Sequence, residues 1–400
     1  MRSKNYMSKQ LSFGVLEGVV VLDLTQMLAG PYCTMVLADH GADVIKIEPP
    51  TGDMSRGLGP FSADDIEKEQ GGYFHSINRN KRSIALDLKD ENDKSTFLQL
   101  VKTADVVVEN FRSGVMDRLG LSYENLREIN KKIVYAAIRG FGDQRTGESP
   151  YNEWPAFDIV AQAMGGFMAM TGPVGIPMKA GPGVGDIVPG LMAAFGIVAG
   201  VRYAEKKGEG QFVDVAMYDA MLALCERSVY RYSVDGAISE GAGNEHPLVN
   251  PFSVYESADG WIALGCPTNV QWHELVEVMD NAKLRNEERF KTNELRVENA
   301  VEVRAEITAW TSLFNKKELA EKLGGRVPFG PVNNIADIFD DPHVSARDML
   351  NTVSVPDSKV EITMSGVPVH YSNTPGSVRT AGPRLDEHRD EVLQQFLVQS

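Results

Sequence analysis

Val19-Val-Val-Leu-Asp-Leu-Thr-Gln-Met-Leu-Ala-Gly-Pro-Tyr-Cys-Thr-Met-Val-Leu-Ala-Asp-His-Gly-Ala-Asp-Val-Ile-Lys-Ile-Glu48 decides the fold class. Its opening, from Val19 to Leu24, is a β-branched run of the kind found in strands buried on both faces. Ala29-Gly-Pro31 breaks the run, and Pro31 suits the first turn of a helix. Tyr32 to Asp39 carries helical spacing, and Gly41 closes it. Asp43 to Glu48 is a second strand, stopped by Pro49 and Pro50. A strand, a helix and a strand this close together predict a parallel sheet with helices on its faces.

The pattern repeats downstream. Residues 83–88 alternate like a strand, 90–103 read as a helix and 104–109 as a buried strand. Asn110-Phe-Arg-Ser-Gly114 is a turn before a short helix through Asp117 and Arg118, and 126–130 is helical. Residues 133–138 form another strand, a helix opens at Phe157, and a strand follows at 212–216. The expected fold is α/β and doubly wound, with ligands gathered at the carboxyl ends of the strands. Those ends are Asp23 to Leu28, Glu48, Glu109 to Phe111 and Arg139 to Phe141. The turn after the first strand holds one glycine, so it lacks a dinucleotide fingerprint, although Glu48 stands where a ribose-binding acid would.

A long helix over 217–234 leads into a Gly-, Asn- and Pro-rich stretch, residues 235–251. A hairpin (252–255 and 261–264) and amphipathic helices at 271–279 and 301–322 follow, as in a smaller α+β module. Short strands at 360–363 and 367–370 and a charged helix at 384–397 end the chain. The expected division is 1–225, 226–329 and 330–400.

The chain has 400 residues and a net charge of -15. That charge disfavours nucleic acid and anionic membrane as partners. Asn78-Arg-Asn-Lys-Arg-Ser83 is the one basic run, read as a solvated turn with an anion site as the alternative. No apolar run approaches the roughly 18 residues of a membrane span without glycine or charge. Residues 1–10 are polar, with no secretory pattern. Cys33, Cys225 and Cys266 are odd in number and widely spaced, so they suggest neither disulfides nor a metal, and a reducing, cytoplasmic compartment.

Gly181-Pro-Gly-Val-Gly-Asp-Ile-Val-Pro-Gly190 sets Asp186 among glycines, just upstream of an apolar helical run. A carboxylate at a helix N-terminus is expected to stay ionised. It would then serve either as an N-cap or as a nucleophile, and the stretch alone leaves both open.

Five stretches in order resemble the class III CoA-transferases: Val21 to Pro31, Gly41 to Glu48, Asn78 to Ser83, Val107-Val-Glu-Asn-Phe111 and Val184-Gly-Asp186. The family includes formyl-CoA transferase and succinyl-CoA-dependent dicarboxylate transferases, and it shares its fold with α-methylacyl-CoA racemases. The resemblance runs from about Leu16 to the C-terminal helix. It implies a large Rossmann-like domain formed by both ends of the chain, a smaller α+β domain, and an interlocked homodimer. It makes Asp186 the nucleophile, forming an aspartyl anhydride and then an aspartyl-CoA thioester, with CoA thioester as substrate and no resident cofactor or metal. CoA contacts fall on Leu28, Ala29, Leu86, Lys89, Asn110, Phe111, Arg118 and Leu119. Asp158 matches an acidic position beside the nucleophile, where it either orients the acyl group or caps its helix. The glycines around Asp186 are expected to offer N–H groups to an oxyanion.

The departures from the family pattern bear on substrate. Members acting on formyl-CoA and oxalate carry Gln where this chain has Leu28, and Gly241 to Glu245 matches their glycine run poorly. Racemases carry His at Phe157, and Phe moves no proton. Pro49 and Pro155 replace basic contacts. The expected reaction moves CoA from an acyl-CoA, succinyl-CoA above all, to a small dicarboxylic acid. Formyl-CoA:oxalate transfer, racemisation and non-catalytic CoA binding are the alternatives. Arg227 and Arg231, one helical turn apart, read as a surface face that could otherwise pair a distal carboxylate.

Overall fold

The computed structural model describes residues 14–397; the polar opening, residues 1–10, lies outside them. The main sheet holds β1 (Val20–Asp23), β2 (Asp43–Glu48), β3 (Arg82–Ala85), β4 (Val106–Glu109), β5 (Val134–Arg139) and β6 (Phe212–Ala216). All pairings are parallel, in the order β3-β2-β1-β4-β5-β6. Val21 pairs with Val44 on one side and Val106 on the other. The winding therefore reverses between β1 and β4, and a crevice opens at their carboxyl ends.

Apolar residues alternate between two cores because successive strand side chains point to opposite faces. Val21, Val44, Val106 and Ala136 join α1 (Ala29–Asp39) on one face. Leu22, Ile45, Val107 and Tyr135 face the other way. There they meet Phe97 and Leu100 of a helix at Glu91–Val101. The outer edge of β3 is covered by the last described segment. His388 N–H donates to Ser83 O at 2.9 Å, and Ala85 N–H donates to the Asp386 carboxylate at 2.7 Å. A capped edge cannot recruit a foreign strand.

The basic run forms neither a solvated turn nor an anion site. Arg79 pairs with Asp39, Lys81 with Asp23 and Arg82 with Asp43, at 2.7, 2.9 and 2.5 Å. All three cations are buried. Burial pushes the Lys81 ammonium down to about 8, against the pull of Asp23. Glu48 is likewise occupied, accepting from Arg56 and from the Ser83 hydroxyl at 2.6 Å.

The chain divides into two compact units. One holds residues up to Phe167, Ala180–Val234 and those from Pro342 on; the other holds Met168–Lys179 and Asp235–Asp341. These limits differ from the expected 225/226 and 329/330. In the smaller unit, β7 (Phe252–Ser257), β8 (Gly260–Gly265) and β9 (Phe329–Pro331) form an antiparallel sheet, so a break after 329 would cut a strand. The expected helix over 301–322 is two, Ala300–Thr311 and Lys316–Leu323, the second capped by Asn315. The helix over 217–234 likewise breaks at Cys225. In the larger unit β10 (Leu350–Ser354) pairs with β11 (Glu361–Ser365), whereas residues 367–370 form no strand.

Candidate active site

The carboxyl ends of β1, β4 and β5 enclose a cavity of about 270 Å³. Gln26 to Ala29, Asn110 to Ser113 and Ile138 to Phe141 form its walls, and Asp186 faces into it. Of the residues expected at the site, Leu28, Ala29, Asn110, Phe111 and Asp186 meet here. Asp158 adjoins through Gly185. Leu86, Lys89, Arg118 and Leu119 are not among the lining residues. Leu86 is buried in the core, Leu119 packs against it, and Lys89 and Arg118 are exposed. Glu48, Arg227 and Arg231 are absent from the lining too.

Asp186 does not precede its helix but lies within it. We number the relevant helices α2 (Gly72–Asn78), α3 (Glu91–Val101), α4 (Val115–Arg118), α5 (Tyr123–Ile129), α6 (Asp158–Met164), α7 (Val184–Lys207), α8 (Met217–Leu224) and α9 (Glu226–Asp235). Asp186 is the third residue of α7. Its glycines serve close packing. A Cβ at Gly185 would stand 2.6 Å from the Asp158 carbonyl oxygen, and one at Gly190 would stand 2.6 Å from that of Ala29. The helix can therefore start against α6 and cross α1 at short range.

The amides of this first turn are all engaged. Val184 N–H donates to Pro182 O, Asp186 and Ile187 N–H to Gly183 O, and Gly185 N–H to Asp158 Oδ1 at 2.8 Å. None of these four is left for an oxyanion, contrary to the sequence expectation. Among the described residues no hydrogen bond reaches the Asp186 carboxylate. Burial, and then the charge of Asp158, push it up to about 7. The expectation of a firmly ionised carboxylate is thus corrected: the free N–H groups that would hold the charge are occupied, one of them by Asp158.

Asp158 is the first residue of α6, behind Phe157 as N-cap. Its carboxylate reaches across to α7 instead of capping its own helix. Gln162 donates to both its oxygens, at 2.8 and 2.9 Å. Tyr73 of α2 also lines the cavity, its phenol pushed up to about 12 by burial and by the nearby charges of Asp186, Asp53 and Asp158. Arg139 reaches the wall from β5 but is paired with Glu109 and Asp143. Among the described residues no three His, Cys, Asp or Glu side chains are placed to hold a metal ion.

The CoA-transferase family III model matches residues 16–389. This chain belongs to CoA-transferase family III. It is 48% identical over 96% of both chains to succinyl-CoA:mesaconate CoA-transferase of Haloarcula hispanica. It is 38% identical over 95% of both to succinate–glutarate CoA-transferase of Agrobacterium fabrum. A CaiB/BaiF family protein from Brucella suis superposes with a TM-score of 0.85 at 34% identity, covering 96% of this chain and 99% of that one.

Tyr73, Gln162 and Arg112 are residues that this family member brings to or beside the site and that sequence reasoning missed. Gln162 had a signal: it stands four residues after Asp158, on the same helical face. Arg112 adjoined the quoted Asn110-Phe111 pair. Tyr73 had none, because only the tertiary fold brings α2 to the cavity.

Proposed function

We propose that this CoA-transferase moves CoA from succinyl-CoA to a small dicarboxylic acid, with Asp186 as the covalent nucleophile. The observation that carries the reading is a carboxylate free of hydrogen bonds, aimed into a cavity at the switch point of a doubly wound sheet. The Asp186 carboxylate attacks the thioester carbonyl, the C–S bond breaks, and CoA leaves as thiolate from a mixed anhydride. The thiolate attacks the aspartyl carbonyl, releasing the donor acid as carboxylate and leaving an aspartyl-CoA thioester. The acceptor carboxylate attacks that thioester and expels CoA thiolate, which attacks the acceptor's carbonyl in the new anhydride and frees Asp186. No proton is consumed or released. Burial suits the chemistry, since water would hydrolyse either anhydride.

Leu28, Ala29, Asn110 and Phe111 are assigned to the thioester arm. Arg112 and Arg118, exposed and without a carboxylate partner among the described residues, are assigned to the CoA phosphates. Leu86 and Lys89 are assigned to the adenine end, and Leu119 to a CoA contact beside Arg118, on the family resemblance. The names of the Haloarcula and Agrobacterium relatives, and Leu28 in place of Gln, support a dicarboxylate acceptor over oxalate.

We infer an interlocked homodimer working in the cytoplasm with no resident cofactor and no membrane attachment. Helix α7, at 24 residues, is long and apolar enough to cross a membrane by length and composition, with a mean hydropathy of 1.8 over an 18-residue window. However, Ala193, Ala194 and Ile197 are buried in the sheet's core. Its outer face exposes Leu191, Met192, Phe195 and Val198, which a second copy would cover. The three cysteines are free and buried, as a reducing compartment allows.

A matrix of acyl-CoA donors and carboxylic acceptors, read by mass spectrometry, tests the reaction. Succinyl-CoA with a C4 or C5 dicarboxylate should give the highest rate. Oxalate outpacing every dicarboxylate of that size would overturn the substrate assignment, and loss of Asp186 without loss of transfer would overturn the mechanism.

A further inference from the structure

Gln162 is fully buried, 0% exposed, yet takes no part in the proposed chemistry. Its amide orientation is fixed by its neighbours. Oε1 accepts from Ala180 N–H at 2.8 Å, and a backbone N–H can only donate. The Nε2 group must then face Asp158, where it reaches both carboxylate oxygens. Asp158 Oδ1 in turn accepts from Gly185 N–H. One side chain thus ties down both ends of the stretch from Ala180 to Gly185, directly and through Asp158. The next residue is Asp186.

We propose that Gln162 is a positioning residue for the transfer reaction: it holds the Asp158 carboxylate against the first turn of α7, and so sets the aim of Asp186 and the charge it faces. The inference rests on Asp186 being the nucleophile. The groups that face Asp186 leave Asp158 as the charge that matters. Tyr73 on α2 is neutral at working pH. Leu28 from the β1–α1 loop and Met217 from α8 carry no charge. Arg139 on β5 is neutralised by Glu109 and Asp143, and Arg112 after β4 is exposed to solvent.

Without the Gln162 donors the Asp158 carboxylate is held by the Gly185 N–H alone, so its charge is no longer fixed beside Asp186. Asp186 then loses its anionic neighbour and ionises at lower pH, while the glycine-rich stretch loses its anchor at Ala180. The two effects oppose each other in rate but are separable by pH.

The test is the pH profile of Gln162→Met, alone and in an Asp158→Asn background, with the wild type as control. Wild-type protein is incubated with acyl-CoA and then hydroxylamine, and Asp186 is read as its hydroxamate by mass spectrometry. In Gln162→Met the acid limb of the labelling rate should move down by at least about one pH unit, a tenfold change in the ionisation constant. The plateau of kcat should fall roughly 10- to 100-fold, as small misplacements of a reacting group do, with KM for acyl-CoA within about threefold. In Asp158→Asn, adding Gln162→Met should move the limb no further. If Gln162→Met does not fold, Gln162→Asn keeps an amide in the buried site but falls one methylene short of Asp158, and it is read the same way. A limb that stays in place, or moves equally with and without Asp158, overturns the inference. A wild type that never labels at Asp186 overturns the nucleophile assignment itself, and this inference with it.

Discussion

Asn110 binds the main chain of Gln26 at both ends of its side-chain amide: Nδ2 donates to Gln26 O at 2.8 Å and Oδ1 accepts from Gln26 N–H at 2.9 Å. The pair joins the loop after β4 to the loop after β1, across the point where the sheet reverses. Met27 next to it holds φ at +66° and donates its N–H to Asp53. A methionine in that region is strained, so the loop keeps its shape only because these bonds hold it.

Asn110→Asp should therefore lose the bond to Gln26 O and set an anion against that carbonyl. We expect KM for acyl-CoA to rise roughly tenfold, about 1.4 kcal/mol, with a smaller change in kcat. Steady-state kinetics with one acyl-CoA and a saturating acceptor would decide. Unchanged KM would mean that the loop does not shape the thioester wall.

Asp186 carries two linked expectations. Its carboxylate is held at about 7 in the empty enzyme, so kcat/KM, which reports the free enzyme, should fall tenfold per pH unit below that value. Asp158→Asn should shift this limb to lower pH. The same raised pKa acts on stability. The unfolded chain ionises near the usual 3.8, so ionisation favours the unfolded state, and the destabilisation grows from about pH 4 to pH 7 and is complete above it. Asp186→Asn should melt higher than the parent at pH 8, with the gap closing below pH 4, while transfer falls by at least roughly 10³-fold. Calorimetry at the two pH values tests the first part. A variant less stable at pH 8 would contradict the burial argument.

Gly185→Ala tests the close approach of α6 and α7. The new Cβ would meet the Asp158 carbonyl oxygen at 2.6 Å, so one helix must shift. A displacement near 1 Å of the residue beside the nucleophile should lower kcat on the order of 100-fold. Wild-type turnover in Gly185→Ala would show that the approach has slack.

Lys81→Met leaves Asp23 buried, with the hydroxyls of Thr25 and Thr34 still bonded to it but its nearest cation gone. Removing one partner of a buried pair typically costs about 3–5 kcal/mol. Urea unfolding of the variant should show that loss, and Asp23→Asn on top should recover part of it. A near-neutral Lys81→Met would mean that Lys46 alone balances Asp23.

The parallel strands were legible because Val19 to Leu24 and Asp43 to Glu48 can satisfy two apolar faces only inside a doubly covered sheet. The start of α7 was not. Gly183-Val-Gly185 has poor helix propensity, yet packing against Asp158 and Ala29 admits only small residues, and packing prevailed. The basic run shows its charges in the sequence but not its partners. Asp39 and Asp43 lie about 40 positions before their partners and Asp23 lies 58 before Lys81, so they meet the run only once the sheet has formed. The ionisation of Asp186 was misread for a related reason. The dipole argument assumes vacant amides, and Asp158 had taken one of them.

The finished edge of β3 has a bearing on synthesis. Ala85 N–H gains its partner from the Asp386 carboxylate, 301 positions further along the chain, and its carbonyl accepts from Arg389. A ribosome making this protein therefore exposes an open strand for most of elongation. Premature release anywhere before Asp386 would leave that strand bare and prone to pairing with other chains. Nascent products stopped short of this segment are expected to depend on chaperones in proportion to how long β3 waits.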